Sequence, residues 1–202
     1  MNTKELILEK TLKLMIEKQN PIISIKEIKE TTGIATGGIY YYFSSKEEIY
    51  DEITKKYFLN YAKFDIDKLK QINGNTKEKI HDILFEIIKQ KQTGIKVKSI
   101  NEEIDYRSIL HILTANGCSY ENSLNFYHSI VNELKEFLTE IIEEGQKNKE
   151  ITRDFSSEDL AESLIIMYMG IQYNWELYYI NNMNSDFEDN FNMKWEKIRF
   201  KE

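Results

Sequence analysis

The stretch TGIATGGIYYYFSSKEE, Thr32 to Glu48, decides how this chain is read. From Thr31 to Ser45 no residue is charged, although 30% of the chain is Asp, Glu, Lys or Arg. Two similar signals bracket the neutral run, Ser24-Ile25-Lys26-Glu27 and Ser45-Lys46-Glu47-Glu48. Each fits a capping box, in which a serine hydroxyl accepts from an orphan backbone N–H while the glutamate three residues on reaches back. Between them Gly33 can take the left-handed conformation that ends a helix. A helix over 24–31, a turn at Gly33 and a helix over 35–43 follow, with Ile25, Ile28, Ile34, Ile39 and Phe43 fixing the angle between them. That is the spacing of a helix-turn-helix, whose second helix is free to enter a DNA major groove. Spacing alone does not separate it from other all-α proteins with a glycine turn.

Outward from this stretch the pattern stays helical. A helix from Thr3 to Lys18 ends at Gln19-Asn20-Pro21, and a fourth runs from Ser45 to about Tyr61 with Ile49, Ile53, Tyr57 and Tyr61 on one face. Past Gly74-Asn75 the helices lengthen: 76–92, then 101–115, interrupted by Asn116-Gly117. From 121 to 147, Leu124, Tyr127, Val131, Leu134, Leu138 and Ile141 alternate spacings of three and four, the seam of a buried helix that ends at Gly145 and Asn148. Ser156-Ser157-Glu158-Asp159 opens a helix to about Ile180, and a last one covers 186–200. Leu160, Leu164, Tyr168, Ile171, Trp175 and Tyr178 share a face of the first of these. The fold class is all-α, with a division into 1–60 and 61–202.

Composition limits the function. One proline in 202 residues and many straight-chain side chains suit helices. The single cysteine, Cys118, cannot form an internal disulfide, and MNTKELILEKTL meets charge too early for a secretory signal, so a cytoplasmic location is expected. The longest apolar run, Leu164–Ile171, is far below the ~18 residues of a membrane span. The net charge of −7 argues against a phosphate-binding surface until its distribution is considered. Residues 1–60 hold nine Lys against nine Asp or Glu, which leaves the whole −7 to 61–202; within 1–46 seven Lys face five Glu.

Catalytic signals are weak. Glu78-Lys79-Ile80-His81 matches the Glu-x-x-His of di-iron bundles, but no second copy exists, since neither His111 nor His128 has an acid three residues before it. Cys118 with His111 could pair as nucleophile and base, though a lone cysteine is more often buried packing. Neither a phosphate-binding glycine loop nor an HExxH is present. No cofactor, metal or enzymatic activity is expected.

Taken in order, Ile25-Lys26-Glu27-Ile28, Gly33-Ile34, Gly37, Ile39-Tyr40, Tyr42-Phe43 and Ser45-Lys46-Glu47-Glu48 resemble the N-terminal domain of the tetracycline-repressor (TetR) family of bacterial regulators, over about 6–60. The resemblance implies DNA contact by Thr36, Gly37, Gly38, Tyr40, Tyr41, Tyr42 and Lys46, with Ser24 and Lys26 at the edge. Bare glycines let the recognition helix approach a backbone closely, and the tyrosines offer hydroxyls on flat apolar bodies. The family commonly has Ser where Ala35 stands, Lys where Thr36 stands, and Ala at Lys29 and Thr31. The segment from Thr31 to Ser45 also has no Arg, Asn or Gln to bond guanine or adenine bidentately. Readout through Thr36, tyrosine hydroxyls, thymine methyl groups and DNA shape is therefore expected.

By the same resemblance the C-terminal part binds a small molecule and dimerises through its last two helices, about 156–180 and 186–200, so that two recognition helices ~34 Å apart read a palindromic operator. Phe85, Tyr106, His111, Tyr127, Met167 and Tyr168 are candidate ligand contacts, although an aromatic stripe is more often core. Leu164, Ile171, Trp175 and Tyr178 are candidates for the dimer interface. The expected function is a repressor released by its inducer. The alternative is a helical DNA-binding adaptor whose large domain binds another protein.

Overall fold

The computed structural model describes residues 2–59, 63–97, 101–105, 107–109, 112, 121–178 and 182–201. These residues are mostly helical, with one two-stranded sheet among them. They fall into two compact units.

The first unit comprises 1–63 and 92–127. Helix α1, Thr3–Lys18, starts at Asn2, whose side chain accepts the Lys4 N–H at 3.1 Å, and stops where Gln19 turns left-handed at φ 48°. Helices α2 (Ile25–Thr32), α3 (Thr36–Tyr42) and α4 (Lys46–Ile53) follow. Ile7, Leu8, Leu12 and Met15 form the buried stripe of α1, and Ile23, Ile28, Ile39, Phe43, Ile49 and Ile53 close over it. Burying each such side chain stabilises by ~1.5–3 kcal/mol relative to leaving it in water.

The fourth helix departs from the expected regular run over 45–61, because from Thr54 to Leu59 it is π-helical. The widened turn carries two consecutive side chains to α1. Lys56 pairs with Glu5, and the Tyr57 hydroxyl donates to Glu9 Oε1 at 3.0 Å. Burial and the neighbouring carboxylate push the Tyr57 phenol upward. The cap of α4 also differs. Ser45 accepts the Glu48 N–H at 3.1 Å as expected, but the Glu48 carboxylate turns to Ser44, taking its N–H and its hydroxyl at 2.6 Å each. Those two bonds from Ser44 hold the Glu48 carboxyl below its usual range.

A helix over 101–115 is not what forms. Ile95–Val97 (β1) pairs antiparallel with Glu102–Ile104 (β2), Ile95 opposite Ile104, and helical backbone returns at 107–109. Ile95 and Val97 alternate with Lys96, which suits a half-buried pleat, and Asn101 takes the left-handed conformation (φ 52°) that a short polar side chain tolerates. Val97, Ile104, Ile109 and Ile112 are buried in the same cluster as Ile7 and Leu12. These described residues of 92–127 thus pack with 1–63 in one compact unit.

The second unit comprises 64–91 and 128–202. It contains α5 (Ile66–Leu69), α6 (Thr76–Lys91), most of α7 (Glu121–Lys147), α8 (Ser157–Tyr178) and α9 (Met183–Ile198). Asn75 and Glu78 cap α6 reciprocally, at 3.0 and 2.9 Å, which gives the Glu-x-x-His pattern a structural role for its glutamate. In the α7 seam Leu134, Leu138 and Ile141 are buried and Val131 packs beside them; the side chains of Leu124 and Tyr127 lie outside the described residues. Gly145 does not end α7. It lies within the helix, and a Cβ there would stand 2.6 Å from Thr76 Cγ2, so its bareness serves close packing against the start of α6. The Ser156 hydroxyl accepts the Asp159 N–H at 3.0 Å and opens α8. Phe187, Phe191 and Trp195, four apart on α9, stack along the core.

Candidate nucleic-acid interface

The angle between α2 and α3 is set by bonds that the local sequence supplies. At Ser24 the capping box is complete: Oγ accepts the Glu27 N–H at 3.3 Å, and Glu27 Oε2 accepts the Ser24 N–H at 2.7 Å. Lys18 also bonds Glu27, at 2.5 Å. The lysine, then the serine, hold the Glu27 carboxyl down at about 2. At the other end Gly33 is left-handed, φ 75°. Thr32 ties the turn, since its buried hydroxyl donates to the Ile28 carbonyl at 2.7 Å and accepts the Ile34 N–H at 3.2 Å.

Helix α3 then divides by face. Ile39 and Phe43 are buried, and Ile25, Ile34 and Tyr42 pack against the same cluster. The opposite face carries Thr36, Gly37, Tyr40 and Tyr41, all exposed, with Tyr40 at 49% and Tyr41 at 81%. Tyr42 stands half-buried, its ring edge-on to Tyr41 with centroids 5.0 Å apart. The two glycines are not equivalent. A Cβ on Gly38 would come within 2.9 Å of Ile34 Cγ2, so the turn itself needs this glycine, whereas a Cβ on Gly37 would meet nothing within 4 Å. The packing accounts for Gly38 and leaves Gly37 open.

Ala35, at the N-cap of α3, provides no side-chain bond. Lys29 lies exposed on α2, so its length does not disturb the packing there. Charge around the face is selectively neutralised. Lys4 pairs with Glu52, Lys18 with Glu27 and Lys56 with Glu5, while Lys10 donates to the Thr31 carbonyl. Among the described residues no carboxylate lies within ion-pair distance of Lys26, Lys29 or Lys46. Lys26 is exposed, and Lys46 is half-buried with its ammonium 5.5 Å from the Tyr50 ring centre. Ser24, Lys26, Thr36, Gly37, Tyr40, Tyr41 and Lys46 thus all keep some access to solvent.

Tyr50 is a positioning residue that the sequence reading missed. Its buried hydroxyl donates to the Ile23 carbonyl at 2.6 Å and accepts the Ile23 N–H at 2.8 Å, which anchors the segment entering α2. A tyrosine among the isoleucines of an amphipathic helix was the available signal.

The other expected contacts are scattered. Phe85 and Met167 are half-buried beside the core of the second unit and Tyr168 is within it. Tyr106 and His111, like Cys118, lie outside the described residues, as do the side chains of Tyr127 and Tyr178. Of the candidates for a dimer interface, Leu164 is 0% exposed and Ile171 belongs to the same core. Trp175 also packs against that core. Among the described side chains of α8 and α9, Ile166, Tyr173 and Met193 are the large apolar ones turned outward. No described helix is long and apolar enough to cross a membrane.

Residues 7–53 match the family model described as bacterial regulatory proteins, tetR family. No curated protein matches the sequence. Among solved structures, NalD of Pseudomonas aeruginosa, the secondary repressor of the MexAB-OprM multidrug efflux pump, superposes with a TM-score of 0.70 at 16% identity, over 98% of this chain and 95% of that one. The ketosteroid transcriptional regulator KstR2 of Mycobacterium tuberculosis gives 0.62 at 13% identity, over 100% and 96%. A TetR-family transcriptional regulator from Cytophaga hutchinsonii gives 0.59 at 17%, over 99% and 96%. At these identities the likeness is one of fold.

Proposed function

We propose that this chain, a transcriptional regulator whose N-terminal domain is that of the tetR family of bacterial regulatory proteins, is a cytoplasmic homodimeric repressor that binds a palindromic operator and is released by a small molecule. The observation that carries the reading is the outward face of α3, where Gly37 stands bare and Tyr40 and Tyr41 project into solvent.

Phosphate contacts would come from Lys26, Lys46 and the hydroxyls of Ser24, Thr36, Tyr40 and Tyr41, and such contacts position a protein without reading sequence. Reading would rest on Thr36, the tyrosine edges, thymine methyl groups and groove shape, since no side chain on this face can bond guanine bidentately. A second copy supplies the other half-site, and α8 and α9 would meet their counterparts through Ile166, Tyr173 and Met193. An effector that binds one arrangement of the dimer better than the other lowers DNA affinity by its differential binding energy.

The test is a gel shift on inverted-repeat fragments across a salt series. Specific retardation that weakens as salt rises supports the reading, and no preference for any inverted repeat even in dilute buffer refutes it. The adaptor alternative is separated by a thermal-shift screen, because a small ligand at 100-fold excess over Kd raises stability by ~2.7 kcal/mol and a protein-binding domain has no such response.

A further inference from the structure

A groove of about 430 Å³ opens on the second unit between the α5 segment and α6, with Leu69, Ile72 and Phe85 as its apolar floor and Lys68 and Lys89 at its rim. Its size suits a small organic molecule. The Phe85 ring packs in a triangle with His81 (5.6 Å, 24°) and Phe187 (5.8 Å, 26°), whose rings also meet each other at 5.4 Å.

The rim has a sign. Lys68 and Lys89 converge on the one carboxylate of Glu86, at 3.4 and 3.3 Å, so two ammonium groups share a single negative charge. The remaining carboxylate of the groove, Asp82, is engaged by His81 Nδ1 at 2.7 Å, and the other ring nitrogen of His81 meets Glu188 at 2.9 Å. The ammonium of Lys89 also lies 4.5 Å from the centre of the Phe85 ring, so the ring face that would attract a foreign cation already holds one. A carboxylate placed between the two lysines completes donors that Glu86 leaves over, since each ammonium has three.

We propose that this groove binds a flat amphipathic anion, an aromatic carboxylate whose body lies on Leu69 and Ile72 against the edge of Phe85 and whose carboxylate sits between Lys68 and Lys89. The binding stands on the groove alone, while its consequence for DNA rests on the repressor reading above.

The experiment uses the full chain, without DNA, titrated with 2-naphthoate and with the neutral isostere 2-naphthamide by calorimetry. The acid binds about tenfold or more tighter than the amide, the equivalent of one charge-assisted bond. The exposed double variant K68Q/K89Q erases that preference, whereas F85L weakens acid and amide alike, with folding of each variant checked by circular dichroism. Equal affinity for acid and amide, a preference that survives K68Q/K89Q, or no binding of naphthoate at millimolar concentration overturns the proposal. A gel shift then separates the two readings: naphthoate that binds in this way but leaves operator affinity unchanged keeps the site and removes its role in release.

Discussion

The hydroxyl of Tyr50 is bonded twice to the backbone of Ile23, donating to its carbonyl at 2.6 Å and accepting its N–H at 2.8 Å. One side chain on α4 thereby satisfies both polar groups of a buried residue that precedes the helix-turn-helix by a single position. Y50F keeps the ring and removes both bonds, leaving a buried donor and acceptor without a partner. A loss of ~1–3 kcal/mol is expected, read from urea denaturation with an unchanged slope. A variant as stable as the parent would mean that water replaces the hydroxyl.

Glu27 links stability to pH. Its carboxyl is held at about 2 in the fold, against 4.5 for an ordinary glutamate, first by Lys18 and then by Ser24. Because the folded value is the lower one, the ionised form is favoured by folding. That contribution is present in full above about 4.5 and fades as pH falls from 4.5 through about 2. Glu27 is solvent-exposed, so the effect is modest and weakens with salt. E27Q should therefore be less stable than the parent at pH 6, and the gap should close by pH 2. Carbon-detected NMR titration of the Glu27 carboxyl checks the folded value directly.

The two glycines of α3 separate folding from binding. G37A places a methyl group in open space on a helix, which should raise stability by up to ~1 kcal/mol because alanine is the better helix former. The same methyl obstructs close approach of a DNA backbone, so operator affinity should fall by about tenfold or more, ~1.4 kcal/mol. G38A drives a Cβ to within 2.9 Å of Ile34 Cγ2 and should lose that gain in stability. Thermal melts and gel shifts on the same preparations decide it. If G37A binds operator as the parent does, α3 does not present this face to DNA.

What could be read beforehand was local. Ser24 with Glu27, Thr32 with Gly33 and the period of Leu134, Leu138 and Ile141 each lie within a few residues, where helix-capping chemistry and helical spacing act. The Tyr50–Ile23 bonds join residues 27 apart, and no short-range rule points to them. The pairing of 95–97 with 102–104 was missed because three-residue strands hold too few alternations to stand out, and it gains stability from burying Val97 and Ile104 in a core built largely by α1 to α4. The ambiguity in α8 is of another kind. A helix that carries Leu164 and Ile171 on one side and Ile166 and Tyr173 on the other is apolar all round, and its periodicity cannot say which side meets its own chain.

Gly145 offers a packing test inside the second unit. Alanine there should be favourable for an α-helix, yet its Cβ would lie 2.6 Å from Thr76 Cγ2 and 3.2 Å from Ile151 Cδ1. Overpacking of this kind costs ~1–3 kcal/mol. G145A should be destabilised in urea, and T76S, which removes the obstructing methyl, should restore part of the loss when combined with it. Additive effects in that double-mutant cycle would show that the two sites are not in contact.

The two sides of α8 can be told apart by what their loss does. Leu164 is 0% exposed and lies in the core, so L164A should cost ~2–5 kcal/mol of stability by leaving a cavity. Ile166, two residues on, is 63% exposed, and Tyr173 on the same outer stripe is 57% exposed. A charge at Ile166 meets only water in the free protomer, so I166E should leave the urea midpoint of a monomer almost unmoved. In a dimer joined through this stripe, the same charge would be buried against apolar surface without a partner, which is strongly unfavourable. Sedimentation velocity should then show the parent as a dimer and I166E as a folded monomer, and operator binding should weaken because one half-site can no longer recruit the other. A parent that sediments as a monomer, or an I166E variant that stays dimeric, would move the self-association of this chain to a different surface.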